Sequence, residues 1–164
     1  MAHVNLLFVC TGNICRSPLA EVIARAEADA RGWAEVCCAS AGTFAFPGQP
    51  ASGPGIAVAA AHGLDLGGHV SRELSLELVE WADLVIGMEA SHARGAARLA
   101  PHAAIRVMTD FLSADDEWRG SGVPDPYGGD LDTYEATREL LTRAMQGLFD
   151  ALGEERGGRE GSGS

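Results

Sequence analysis

Apolar positions in this chain fall into short continuous runs separated by stretches of helical periodicity. Residues 4–9 (VNLLFV) form an apolar run too short for a helix, the pattern of a strand buried on both faces. Residues 18–31 carry a helical pattern. Pro18 suits the first helical position, Ser17 is the expected N-cap, and Gly32 ends the element. Further strands are expected at 36–41, 84–87 and 105–108, and further helices at 56–62, 75–81, 91–99 and 133–152. The stretches 44–54 and 109–129 are rich in Gly, Pro and polar residues and read as loops. Strands alternating with helices predict an α/β fold, a parallel sheet with helices packed on both faces. Residues 153–164 contain no apolar side chain, which predicts a disordered tail behind one domain at 1–152.

A length of 164 residues suits one domain with a sizeable core. The charge balance, 12 basic against 23 acidic side chains, gives a net −11 and argues against a nucleic-acid partner. Any positive field must therefore be local. The four cysteines, at 10, 15, 37 and 38, make neither a disulfide framework nor a zinc site, so no metal or cofactor is expected. No apolar stretch reaches the ~18–20 residues of a membrane span, so no membrane partner is expected. The segment MAHVNLLFVCTGN lacks the features of a signal peptide, and a thiol-dependent protein wants a reducing compartment; the expected location is the cytoplasm.

The chemistry concentrates between the first strand and the first helix, in Cys10-Thr11-Gly12-Asn13-Ile14-Cys15-Arg16-Ser17. A turn feeding a helix N-terminus directs backbone N–H groups at one point and favours an anion there. The same field favours a thiolate at Cys10. Arg16 supplies a planar fork matched to phosphate oxygens, and a cation at a helix N-terminus is unfavourable unless it shares an anion. Gly12 and Asn13 tolerate the left-handed backbone that a tight turn needs. Cysteine ahead of arginine in such a turn points to nucleophilic attack on a phosphate ester.

The block VCTGNICRSPLAE resembles the signature of the low-molecular-weight protein tyrosine phosphatases. So do SAGT at 40–43, HVSREL at 69–74, ADLVIGME at 82–89 and DPY at 125–127, in that family's order and approximate spacing. The resemblance implies a four-stranded parallel sheet of flavodoxin-like type. It also implies hydrolysis of phosphotyrosine in a protein or peptide substrate through a phosphocysteine. Cys10 would be the nucleophile, Arg16 the phosphate clamp and Asp125 the general acid and then base. Thr11, Gly12, Asn13, Ile14, Cys15 and Ser17 would line the phosphate site, and the Ser17 hydroxyl would assist the thiolate as leaving group. Phe46 and Tyr127 would wall the substrate slot, and His69 and Arg72 would prop the loop asparagine from behind. Cys15 has two readings, tight packing or a redox guard for Cys10. His62, His92 and His102 are read as structural or exposed. The chain departs from the family's pattern at Gly128 and Gly129, where many members carry a second aromatic residue, so a more open mouth is expected.

Four alternatives compete. Arsenate reductases share the loop but need resolving cysteines downstream, and none follows Cys38. Protein-arginine phosphatases resemble this chain at SAGTFAFP (40–47) and DPYGG (125–129) but carry threonine where this chain has Ile14. Apolar bulk there favours a phenyl ring over a guanidinium, whose N–H groups it would leave unpaired. A small-molecule phosphomonoesterase would also fit an open mouth. A phosphate reader without turnover would be expected to lack Cys10 or Asp125, and both are present.

Overall fold

The computed structural model describes residues 3–161. Four parallel strands form one sheet in the order β2-β1-β3-β4: β1 Val4–Cys10, β2 Val36–Gly42, β3 Leu84–Gly87 and β4 Ile105–Val107. The helices are α1 Arg16–Arg31, α2 Gly53–Ala61, α3 Leu76–Trp81, α4 Ala90–Leu99 and α5 Leu131–Gly161, with a 3-10 turn at Met108–Phe111.

Central β1 explains its own composition. Leu6, Phe8 and Cys10 point into a core shared with α1 and α5 (Leu19, Ile23, Leu141, Met145, Phe149). Leu7 and Val9 point into a second core with Val79, Val85 and Ala96 on the α3–α4 side. A strand covered on both faces has no polar side to show. Because Cys10 ends β1, its thiol emerges at the carboxyl edge of the sheet, where loops of parallel sheets gather ligands.

Several expected boundaries moved. Ser17 does not cap α1: the helix begins at Arg16 with Cys15 at the N-cap position, and the Ser17 hydroxyl is engaged elsewhere. Helix α2 begins at Gly53, since Pro54 fits a first turn whose N–H would be unpaired anyway. The fourth strand stops at Val107 because the chain tightens into the 3-10 turn. Helix α5 begins at Leu131, with Asp130 accepting from the Thr133 N–H at 2.9 Å.

The same helix continues to Gly161, through most of the stretch expected to be disordered. Gly153 packs beside the Trp33 ring, and Arg156 pairs with buried Glu35 and lies over Trp33 at 4.5 Å. Those contacts hold a turn that composition alone predicted would fray. The last residues of the expected tail, 162–164, lie outside the described residues.

Candidate active site

Residues 11–15 connect β1 to α1 as an irregular loop, and their backbone polarity is sorted. The carbonyls face protein. Cys10 O accepts from Thr43 N, Thr11 O from Phe44 N, Asn13 O from His69 Nε2 and Ile14 O from Ser52 N. Among the described residues, the N–H groups of Thr11, Gly12, Asn13, Ile14 and Cys15 donate no hydrogen bond. Unpaired N–H groups are costly unless water or a ligand meets them. Five in succession, beside a thiol and a guanidinium, make a nest for an anion.

Asn13 holds that loop in shape. It is fully buried, and it is the non-glycine residue at positive φ (55°) among the described residues. Its Nδ2 donates to Ser17 Oγ and Ser40 Oγ, both at 2.9 Å, and its Oδ1 accepts from Arg72 N at 3.0 Å. Both amide hydrogens and the carbonyl oxygen are thus committed, which offsets the left-handed backbone. Asn13 O accepts from His69 Nε2 at 2.7 Å, so that ring nitrogen carries the proton. Arg72 adds a bond from Nε to Ser40 O.

Ser17 Oγ lies 2.9 Å from Cys10 Sγ. It also accepts from Asn13 Nδ2 and lies 3.5 Å from Ala41 O, so the hydroxyl contacts the sulfur from the first turn of the helix instead of from its cap.

Buried Arg16 commits Nη1 to Glu89 Oε1 (2.6 Å) and to Val123 O (2.9 Å). Its Nη2 sits 3.8 Å from Asp125 Oδ2, leaving that edge for a ligand. Asp125 is half-exposed and accepts from Tyr127 N at 3.1 Å. A cavity of ≈ 280 Å³ is lined by Cys10, Thr11, Gly12, Ile14, Cys15, Arg16, Asp125 and Tyr127. Two residues separated by more than a hundred positions, Cys10 and Asp125, therefore share one cleft. Phe46 is not among the residues that line this cavity and is largely exposed, on a segment whose ends bond to the loop at Phe44 and Ser52.

Cys15 packs with Val58, Tyr134 and Ile14 beneath the cleft. Its thiol is 3.3 Å from Tyr134 Oη, and burial pushes it above the ordinary cysteine range. Burial likewise raises Tyr134, to about 12.

Four participants escaped the sequence reading. Ser40 shares Asn13. Gly42 ends β2 so close to the loop that a Cβ would collide with the Thr11 carbonyl and lie 3.0 Å from Asn13 N. Glu89 anchors Arg16. His92, treated as structural or exposed, is buried and bonded to the loop. Its Nδ1 accepts from Glu89 N at 3.0 Å, so Nε2 carries the hydrogen and donates to Thr11 Oγ1 at 2.9 Å. Burial first, then Arg16, lowers this imidazole to about 4. Glu89 and His92 form a reciprocal cap at the start of α4, and Glu-x-x-His at a strand-to-helix junction was the signal available.

The model of the low molecular weight phosphotyrosine protein phosphatase family matches residues 5–157. The chain belongs to this family. A low molecular weight protein-tyrosine-phosphatase of Streptomyces coelicolor is 38% identical over 160 residues, spanning 94% of this chain and 97% of that protein. A protein-arginine-phosphatase of Bacillus subtilis is 34% identical over 155 residues, covering 93% and 99%. Among solved structures, the YwlE arginine phosphatase, as a cysteine-to-serine mutant with a phosphorylated active-site serine, superposes with a TM-score of 0.84. It is 32% identical and covers 93% of this chain and 98% of that one. The parallel sheet expected of the family is the sheet observed, and the chain is a phosphatase with the family's cysteine-based loop. No helix of the described residues is long and apolar enough to cross a membrane.

Proposed function

We propose that this phosphatase hydrolyses phosphotyrosine in protein or peptide substrates in two displacements at Cys10, in the cytoplasm. The carrying observation is the loop of five N–H groups without protein partners, closed by Arg16 and opening onto Cys10 and Asp125. In the first step Cys10 Sγ attacks phosphorus, an S–P bond forms and the P–O bond to the tyrosine breaks. The leaving phenolate takes the proton of Asp125. Arg16 Nη2 and the loop N–H groups hold the three equatorial oxygens, where the transition state concentrates charge. In the second step the Asp125 carboxylate takes a proton from water as that water attacks phosphorus. The S–P bond breaks, phosphate leaves, and the Ser17 hydroxyl supports the returning thiolate. A relative found with phosphoryl on its active-site serine supports a covalent phosphoenzyme.

Ile14 and the Tyr127 ring supply apolar lining suited to a phenyl ring. Phosphoarginine is the second reading, supported by the arginine phosphatases among the relatives and by Asp125 as a carboxylate that a guanidinium could meet. Turnover of matched phosphotyrosine, phosphoserine and phosphoarginine peptides tests the assignment. Highest kcat/KM on phosphotyrosine supports it, whereas highest kcat/KM on phosphoarginine transfers the assignment to the second reading.

A further inference from the structure

Large apolar side chains are unevenly exposed on this molecule. The five most exposed are Phe44 (77%), Phe46 (74%), Tyr127 (72%), Val70 (61%) and Leu131 (55%). Tyr127 lines the cleft, and the other four lie on segments tied to its loop or following it in the chain. Phe44 and Phe46 ride on a strap, residues 43–52, whose ends bond to the phosphate loop at Cys10, Thr11 and Ile14. Val70 lies between His69, which bonds Asn13 O, and Ser71, whose hydroxyl donates to Phe46 O. Tyr127 lines the cleft, and Leu131 opens α5 just beyond it. Exposed apolar side chains on segments tied to one loop point to an interaction site.

Charge around this collar is divided. Residues 43–61 carry no charged side chain. The segment leading from the cleft into α5 carries Asp125, Asp130 and Asp132, with no basic residue between Arg119 and Arg138; Glu135, further along α5, is paired with Arg138 and His62. On the strap's other side Gly95 packs against Thr43. An acidic rim repels acidic chain and attracts basic chain, while the strap offers apolar contact.

Resting on the phosphoprotein reading above, we propose that the collar docks an extended segment of the substrate protein itself. That segment places an apolar side chain against Phe44, Phe46 and Val70 and a basic residue against the Asp132 rim. The preferred substrates are then phosphorylated residues in apolar, basic stretches, as exposed by unfolded or flexible chain, and acidic flanks are disfavoured. The neutral strap and the acid rim supply the complementarity, and the collar is continuous with the cleft that holds the phosphoryl group.

The test compares kcat/KM for phosphotyrosine peptides of equal length, one set flanked by Leu and Arg and the other by Ser and Glu. An advantage of about tenfold for the first set, carried by KM, is expected from partial burial of one apolar side chain plus a rim charge. Phe44→Ser with Val70→Ser removes the apolar part, and Asp132→Arg reverses the charge part. p-Nitrophenyl phosphate, too small to reach the collar, keeps its turnover in these variants and reports intact chemistry. Equal kcat/KM on both peptide sets, with normal turnover, overturns the docking alone. Turnover of p-nitrophenyl phosphate but of no peptide overturns the protein-substrate reading and the docking with it. Concentration-dependent dimerisation of the wild type that Phe44→Ser abolishes would assign the collar to a second copy of the chain, which also overturns it.

Discussion

The floor and the mouth of the cleft are built by opposite rules. On the floor, Asn13, Arg16 and Ser17 are buried polar groups whose side chains each meet two or more partners at hydrogen-bond or ion-pair distance. At the mouth, Phe44, Phe46 and Tyr127 are mostly in water, and the strap is held by its backbone, the Ser71 hydroxyl and the buried Ala51. A network with every member satisfied resists change, because losing one partner strands the others. An exposed aromatic on a backbone strap can be exchanged without stranding anything. On the proposed mechanism, attack on phosphorus would belong to the floor, and discrimination among phosphorylated chains to the mouth and to Ile14, which lines the cleft.

Changes to the floor chemistry should therefore hit every substrate alike, most heavily at the nucleophile. Cys10→Ser is expected to cost several orders of magnitude in kcat on phosphopeptides and on p-nitrophenyl phosphate, with the melting temperature nearly unchanged. Retention of activity within about tenfold would remove Cys10 from the chemistry. Asp125→Asn stands between floor and mouth. Its cost should be about 10²–10⁴-fold for poorly departing phenols and much smaller for very good leaving groups. Rates on a leaving-group series decide, since an equal loss across the series would mean that Asp125 only shapes the loop.

The floor's rigidity makes its own pH signature. His92 is held neutral, its imidazole lowered from the ordinary 6.5 to about 4 by burial and by Arg16. In the unfolded chain it charges below about pH 6.5, so the unfolded state binds the extra proton first. Stability conferred by the neutral ring is thus present above the ordinary value and falls as pH drops from 6.5 toward 4. Between pH 7 and 5 the loss attributable to His92 is about 2 kcal/mol. Denaturant unfolding at both pH values, in wild type and His92→Asn, reads it; an equally steep acid loss in the variant would contradict the assignment.

How much of this was open to the sequence divides along the same line. The parallel sheet was legible because β1 is apolar on both faces. The phosphate loop was legible because thiol, glycine, asparagine and arginine crowd into eight positions. Asp125 came through resemblance, since Asp-Pro alone reads better as a turn. Contacts made between distant segments were not legible. Nothing local in Glu89 announces Arg16, and nothing in Gly42 announces a carbonyl pressed against it. Ser17 shows the limit of local rules: serine before Pro18 reads as a cap, but the thiol and Asn13 compete for its hydroxyl and win. The tail erred for a related reason, because Trp33 and Glu35 hold Gly153 and Arg156 from elsewhere in the chain.

A smaller effect sharpens the comparison from the mouth's side. Ile14→Thr leaves the nest intact but removes apolar contact with a phenyl ring and adds a hydroxyl. The ratio of kcat/KM for phosphotyrosine over phosphoarginine peptides should fall by about 10- to 200-fold. A ratio that does not move would mean that Ile14 is not the gate.

Everything proposed for the floor depends on a covalent phosphocysteine at Cys10. A rapid denaturing quench of the wild type turning over an aryl phosphate, followed by peptide mass spectrometry, detects it. One added phosphoryl group is expected on the peptide containing Cys10, and none when Cys10 is replaced by alanine. Steady turnover with no phosphoryl on that peptide, or with phosphoryl on another side chain, would contradict it.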